Sequence, residues 1–278
     1  MKALHITITL LFAILFLVLA SCRKEREENL DTDILIEYSL ADQAYTDVSG
    51  IADEAYSGNL ETFRAASPTL SACASIAIDT NASPRTMSID FGSTNCLCAD
   101  GNYRRGIILV TWTGPYRNSG SVHTIGFLNY SVNDNGIAGT KTVTNNGTTA
   151  AGNPSFSVQV NGSVTWSPQS FGGGGTSTHN STRTRVWISG YTTPTWLDDV
   201  YLISGNASGV SRNGTPYTMN TQSPLRKEIG FRHFTQGVLQ FTPGTLSTRN
   251  IDYGYVNGGR DNLARVTVNG QSAVIQLR

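Results

Sequence analysis

Charge is what this chain has least of. Only 14% of its 278 residues are Asp, Glu, Lys or Arg, and the two signs cancel to a formal net charge of zero. So neutral a chain lacks the basic surface that nucleic-acid binding requires. Glutamate is nearly missing from the body of the chain, Glu228 being the only one after Glu61. That scarcity argues against most glycoside chemistry, which works through carboxylate pairs, although Asp pairs stay open. No His-Glu-x-x-His, no Gly-x-Ser-x-Gly and no phosphate loop occurs, so the common signatures of zinc proteases, α/β-hydrolases and nucleotide binders are absent. What is plentiful is Gly, at 28 residues, together with Thr and Asn, in a chain that is 39% apolar. This is too apolar for a disordered chain and too broken by Gly for a helical bundle. Alternating strands joined by Asn/Gly turns are the expectation.

The N-terminus carries the clearest motif. Met1 and Lys2 make a short basic start, and residues 4–19 are apolar apart from His5, Thr7 and Thr9. The run ends in Leu19-Ala20-Ser21-Cys22, where a plain secretory signal would end in small residues alone. This resembles the lipobox of bacterial lipoproteins. The resemblance implies that the chain is cut before Cys22, which carries a diacylglycerol on its thiol and a palmitate-type acyl group on its amine. One acyl chain binds a bilayer marginally, at ~0.8 kcal/mol per buried methylene, whereas two or three hold it permanently. An uncleaved membrane anchor is the competing reading, but the 16-residue run is short for a span. In such lipoproteins an Asp after the cysteine favours the inner membrane; Arg23 stands here, so the resemblance points to the outer one. The cluster Arg23-Lys24-Glu25-Arg26-Glu27-Glu28-Asn29 is by itself a solvated tether. It is also similar to the patch that directs lipoproteins of Bacteroidetes-type bacteria to the cell surface.

Charge divides the rest unevenly, with 11 acidic and 4 basic residues from Arg23 to Arg64 against 9 and 15 from Ala65 to Arg278. In the acidic leader, Leu40, Ala44, Val48, Ile51, Ala52 and Ala55 recur at helical spacing, with Asp42, Asp47, Asp53 and Glu54 on the other side. This predicts one helix near residues 39–57, weakened by Gly50 and stopped by Gly58. Asp33 to Glu37 reads as a short strand. From Ser75 the period becomes two. Strands are predicted at residues 75–79, 86–91, 106–113, 122–132, 137–145, 156–166, 178–189, 199–210, 216–222, 231–242, 248–253, 264–269 and 272–277. Asp134-Asn135-Gly136, Asn213-Gly214 and Asn269-Gly270 are hairpin signals, so the strands they join pair antiparallel. The fold class is therefore all-β, an antiparallel meander of about a dozen strands forming a curled sheet, open barrel or sandwich, with one N-terminal helix. The organisation is a signal peptide over residues 1–21, a tether and amphipathic helix over 22–66, and a single β domain over 67–278.

Alternation predicts which face is wet. Thr182, Thr184, Val186 and Ile188 share one face of their strand, and Arg183, Arg185 and Trp187 the other, which reads as facing water. Residues 106–110, Gly-Ile-Ile-Leu-Val, are apolar on both faces and belong at the centre of the sheet. Ile89-Asp90-Phe91-Gly92 is echoed by Ile251-Asp252-Tyr253-Gly254, most simply one turn chemistry used twice.

Several stretches taken together carry a resemblance. They are Ile89-Asp90-Phe91-Gly92, Arg104-Arg105-Gly106 leading into Val110-Thr111-Trp112-Thr113-Gly114, Gly139 to Gly147, Arg183-Thr184-Arg185, Gly209 with Arg212-Asn213-Gly214, and Ile251-Asp252-Tyr253-Gly254. Over nearly all of its mature length the chain resembles a group of uncharacterised lipoproteins from Bacteroidetes-type bacteria. The resemblance implies lineage and envelope location and brings no activity. After Cys22 there remain Cys73, Cys96 and Cys98, of which two would pair in an oxidising envelope. The group's Cys-x-Asp-Gly loop matches Cys98-Ala99-Asp100-Gly101, so the resemblance implies a Cys73–Cys98 bridge, worth roughly 3 kcal/mol in the chain-entropy model. Two further cysteines of the group are missing here, beside Ile229-Gly230-Phe231 and before Asp261-Asn262.

Catalytic and metal signals are thin. His123, His179 and His233 are far apart, Cys96-x-Cys98 lacks partners for a tetrahedral metal site, and Asp134, Asp198 and Asp199 are ordinary turn residues. Gly172 to Gly175 reads as a flexible hairpin end. The ligand-binding candidates are aromatic: Trp112, Trp166, Trp187, Trp196, Tyr116, Tyr130 and Tyr191, with Trp187, Arg183 and Arg185 as the best cluster; filling the core is their competing role. The expectation is a lipid-anchored, non-catalytic envelope protein with no cofactor, no metal and no nucleic-acid partner. Its partner would be an envelope protein, a glycan or a lipid. Two alternatives are a carrier of a lipid or other apolar ligand in a concave sheet, which needs an apolar cavity, and a glycan-binding adhesin or hydrolase.

Overall fold

The computed structural model describes residues 33–60, 73–171, 173–193, 197–255 and 257–277. The signal peptide, Cys22, the charged tether and Trp196 lie outside the described residues. Helix α1 (Asp33–Leu60) is followed by fourteen strands. They are β1 (Ser75–Asp79), β2 (Arg85–Asp90), β3 (Cys96–Leu97), β4 (Tyr103–Trp112), β5 (Val122–Val132), β6 (Asn135–Thr148) and β7 (Pro154–Trp166). After a one-turn helix α2 (Pro168–Phe171) come β8 (Gly175–Ser189), β9 (Val200–Val210), β10 (Pro216–Glu228), β11 (Gln236–Pro243), β12 (Arg249–Asp252), β13 (Leu263–Val268) and β14 (Gln271–Gln276). All belong to one antiparallel sheet that runs in chain order from β1 to β14 without closing, with β3 set aside as an extra partner of β4. Each of the thirteen strands expected from period two is present; β3, two residues long, carries too little pattern to be seen.

The turns follow from local chemistry. Asn269 and Gly270 both have positive φ, as a two-residue hairpin between β13 and β14 needs. At the β5–β6 hairpin the positive angles fall on Asn133 and Asp134, one residue earlier than the Asp-Asn-Gly motif suggests, because Val132 already pairs with Asn135. The echoed motifs make the same turn: Asp90 Oδ1 accepts from the Gly92 N–H at 2.7 Å, and Asp252 Oδ1 from the Gly254 N–H at 3.1 Å.

Helix α1 starts six residues earlier than expected, and Asp33 to Glu37 is its first turn rather than a strand. The apolar triplet Ile34-Leu35-Ile36 fits either period; what decides is that Leu35 and Tyr38 pack into the core of the second half of the sheet. Gly58 lies inside the helix and does not end it. The sheet curls around α1. Tyr38 touches Tyr217 of β10 and Phe241 of β11, Tyr45 touches Phe127 of β5, and Tyr56 meets Trp112 of β4 edge-on. The Tyr45 hydroxyl donates to the carbonyls of Ala138 on β6 and Ser163 on β7, at 2.8 and 3.1 Å. Gly162 makes this possible, since a Cβ there would run into the Tyr45 ring and hydroxyl. One helix thus fills a core that a dozen strands would otherwise leave open, burying ~25 cal/mol for each Å² of apolar surface removed from water.

Two sequence expectations about faces are corrected. On β8, Ser177, His179, Ser181, Arg183 and Trp187 are the buried row, and Thr176, Thr178, Thr182 and Thr184 face out. Arg183 and Trp187 therefore do not face water; the polar row points at α1, which brings the opposite charges. Residues 106–110 belong to β4, near one edge of the sheet rather than its centre. Their outer row faces solvent, with Leu109 42% exposed.

The disulfide is also corrected: Cys73 bonds Cys96, with 5.8 Å between their Cα atoms, and Cys98 is a free, buried thiol. After β3 the chain turns sharply, the Gly101 N–H donating to the Cys98 carbonyl at 2.9 Å. The turn sends the Cys98 side chain into the core of the first half of the sheet. Cys96 stays on the side from which Cys73 approaches.

Candidate functional site

A helix enclosed by a sheet must be apolar or charge-matched almost all round, because a buried ion without a partner costs several kcal/mol. Helix α1 nevertheless carries five carboxylates between Glu37 and Glu54. Glu37 is buried and accepts from the Arg212 backbone N–H at 2.8 Å, with the Arg212 guanidinium 3.7 Å away. Burial pushes its carboxyl up, against the pull of Arg212. Asp42 is gripped by Arg183, whose two terminal nitrogens lie 2.7 and 2.9 Å from its oxygens. Arg183 also donates to the Tyr38 hydroxyl at 2.7 Å. Burial alone would raise the Asp42 carboxyl, but Arg183 and His179 outweigh it and hold the group below the usual carboxylate range. His179 completes this seam, its Nε2 3.4 Å from Asp42 and its Nδ1 3.2 Å from the Tyr217 hydroxyl. Lys141 Nζ donates to the Tyr45 carbonyl at 2.6 Å, and burial lowers its ammonium to about 8.

Beyond this seam the packing opens. A cavity of about 670 Å³ lies between α1 and the sheet. One wall is the helix face of Gln43, Thr46, Asp47, Gly50 and Asp53, on which Thr46, Gly50 and Asp53 are exposed, so the cavity meets solvent there. The opposite wall brings Arg104, Trp166, Arg185 and Tyr201 together with Lys227, Phe231 and Arg232 at and beyond the end of β10. Trp166 is held by a 2.8 Å bond from its indole N–H to Ser177 Oγ. Arg104 is locked in a bidentate pair with Asp100 at 2.6 and 2.7 Å. Arg185 stacks its guanidinium on Phe156 and Tyr201, 5.2 and 4.9 Å from the ring centres, and donates to the Tyr116 hydroxyl.

Two cavity groups stand in unusual states. Burial raises the Asp47 carboxyl to about 6, although Arg104 and Lys227 pull the other way. Burial lowers the Lys227 ammonium to about 8 against the pull of Asp47. Lys227 donates to two backbone carbonyls, those of Phe231 and, at 2.8 Å, Arg232.

The residues singled out from sequence divide. Arg185 and Trp166 line the cavity. Arg183 is spent on Asp42, and Trp187 is buried among Phe156, Val143 and Tyr201. Trp112 and Tyr130 fill the first core. Tyr116 stacks on Phe156, and Tyr191 meets Trp187 edge-on. Asp134 pairs with Arg105 at 2.5 Å in an exposed turn, and Asp198 accepts from Thr193 at 2.9 Å. Among the described residues no three His, Cys, Asp or Glu side chains converge to hold a metal, and no helix is long and apolar enough to cross a membrane.

Asp47, Gly50 and Lys227 were not legible as site residues. Asp47 looks like the wet side of an amphipathic helix. The one local signal was Gly50, a residue that costs a helix interior about 1 kcal/mol relative to Ala. Nothing lies within 4 Å of the place a Cβ would take there. Comparison with protein-family models, curated proteins and solved structures returned no match.

Proposed function

We propose that this chain is a lipid-anchored protein of the bacterial cell envelope, held in the outer membrane through Cys22, that binds a small polar ligand in the cavity beside α1 without catalysing a reaction on it. The observation that carries the binding reading is the cavity itself. Its volume of about 670 Å³ falls in the range of small-molecule sites. The mid-helix glycine supports this reading, since Gly50 faces the space, has no steric neighbour to avoid, and weakens the helix by being Gly. Aliphatic side chains such as Leu40, Ile51, Ile137 and Ile203 line the cavity as well, and it is the charged Asp47, Asp53, Lys227 and Arg232 among them that support a polar rather than a purely apolar ligand. The anchor rests on the Leu19-Ala20-Ser21-Cys22 motif.

Replacing Gly50 with Trp places a large ring on the cavity wall at a position where an added Cβ meets nothing within 4 Å. A panel of oligosaccharides, short peptides and lipid headgroups is titrated against the mature acylated chain in detergent, and a bound compound should be lost in Gly50→Trp while the far-UV spectrum keeps its β signature. A ligand that binds the plugged variant equally well overturns the cavity as the site. The anchor is checked separately by fractionation: Cys22→Ser should prevent acylation, and unchanged membrane retention without acyl chains would refute the lipobox reading.

A further inference from the structure

Three carboxylates follow one another along α1, Glu37 and Asp42 buried and Asp47 half-buried, and only the first two are answered. Glu37 has Arg212 and Asp42 has Arg183. Asp47 lines the cavity and makes no hydrogen bond or ion pair through its carboxylate among the described residues. The cations nearest it in effect are Arg104, Lys227 and Arg232. Arg104 is already held by Asp100, and Lys227 is tied to two main-chain carbonyls. Asp47 and Lys227 thus face one cavity from opposite walls without forming an ion pair.

A structural role for such a pair would be to meet, since two half-buried opposite charges attract more strongly at contact distance. No ion pair joins these two, and both line the same cavity. Accepting the cavity as a ligand site, we infer that its ligand is a zwitterion with a free amino group at Asp47 and a free acidic group at Lys227, of the size of a short peptide. Each ligand charge then neutralises one otherwise unanswered protein charge. Arg232 adds to the positive end, and Trp166, Tyr201 and Phe231 offer apolar surface to the chain between. A neutral sugar would leave both charges uncompensated, and a fatty acid would answer only Lys227.

The test uses trialanine with free termini, its N-acetylated form, its C-amidated form, and maltotriose, titrated into the mature acylated chain by calorimetry. Free trialanine should bind, and either cap should weaken binding at least tenfold. Asp47→Asn should remove the penalty for N-acetylation and leave that for amidation. Lys227→Gln, which keeps a donor for the main-chain carbonyls, should do the reverse. Glycerophosphoethanolamine carries the same two charges on a lipid headgroup; tighter binding of it than of trialanine supports the charge pair and assigns the ligand to a lipid source. Maltotriose binding that Gly50→Trp abolishes, with no binding of any charged probe, overturns the zwitterion inference and leaves the cavity reading intact. Capped and free peptides binding alike also overturn it. Failure of every compound, here and in the broader panel, removes both.

Discussion

Asp47 should make this protein less stable at neutral pH than it would be with an amide in its place. In the unfolded chain its carboxyl titrates near the ordinary 3.8, and in the folded chain near 6. Between these values the folded state holds a proton that the unfolded state has lost, so stability falls as pH rises across the window and stays low above it. At about 1.36 kcal/mol per pH unit, a displacement of about two units is worth about 3 kcal/mol. Asp47→Asn keeps the shape and removes the titration. Urea unfolding followed by tryptophan fluorescence, at intervals from pH 3.5 to 8, gives the difference between variant and wild type. That difference should be near zero below pH 4, rise through pH 5, and level off above pH 7 with the variant more stable. Subtracting the curves cancels His233, whose ring is lowered to about 4 by burial beside Arg232 and Lys227 and whose contribution has the opposite slope. A difference that is flat with pH, or a variant less stable at pH 7, would refute the picture of Asp47 as a desolvated, unanswered charge.

The neighbouring carboxylate should behave oppositely. Asp42→Ala strands Arg183 in the core and should cost about 3–5 kcal/mol, whereas Asp42→Leu combined with Arg183→Met should recover most of the loss; a single variant within 1 kcal/mol of wild type would contradict the buried pair. Because its folded carboxyl is depressed, the Asp42 contribution is complete above about pH 4 and disappears on acidification through the lower folded value. Peptide mapping without reduction should link Cys73 to Cys96 and leave Cys98 unreactive to alkylation until the chain is unfolded. Losing the bridge through Cys73→Ser with Cys96→Ser should cost roughly 3 kcal/mol, and recovery of a Cys73–Cys98 peptide would reverse the assignment.

The strand order was open to reading because an antiparallel meander is local. Apart from β3, which lies off the path and leaves β2 to pair with β4, each strand pairs with its neighbour in sequence, so period two and the Asn/Gly turns point to the partners without long-range information. The helix was legible in its middle, where Val48, Ile51, Ala52 and Ala55 recur, and illegible in its first turn, where Ile34-Leu35-Ile36 suits a strand as well.

What the amino-acid order determined by itself was therefore the place and direction of thirteen of the fourteen strands and the existence of α1. Tertiary structure alone decided which side of β8 is inside, which cysteine Cys73 meets, and where the unanswered charges gather. Alternation reports that two faces differ; it cannot report which one meets water when a helix brings Asp42 to Arg183 from 141 positions away. Cys96 and Cys98 are two residues apart, and only the turn after β3 sends one to the core and the other to Cys73. Asp47 has the same composition around it as any solvated helix residue. Its chemistry comes from the far end of β10, brought opposite by the curl of the sheet.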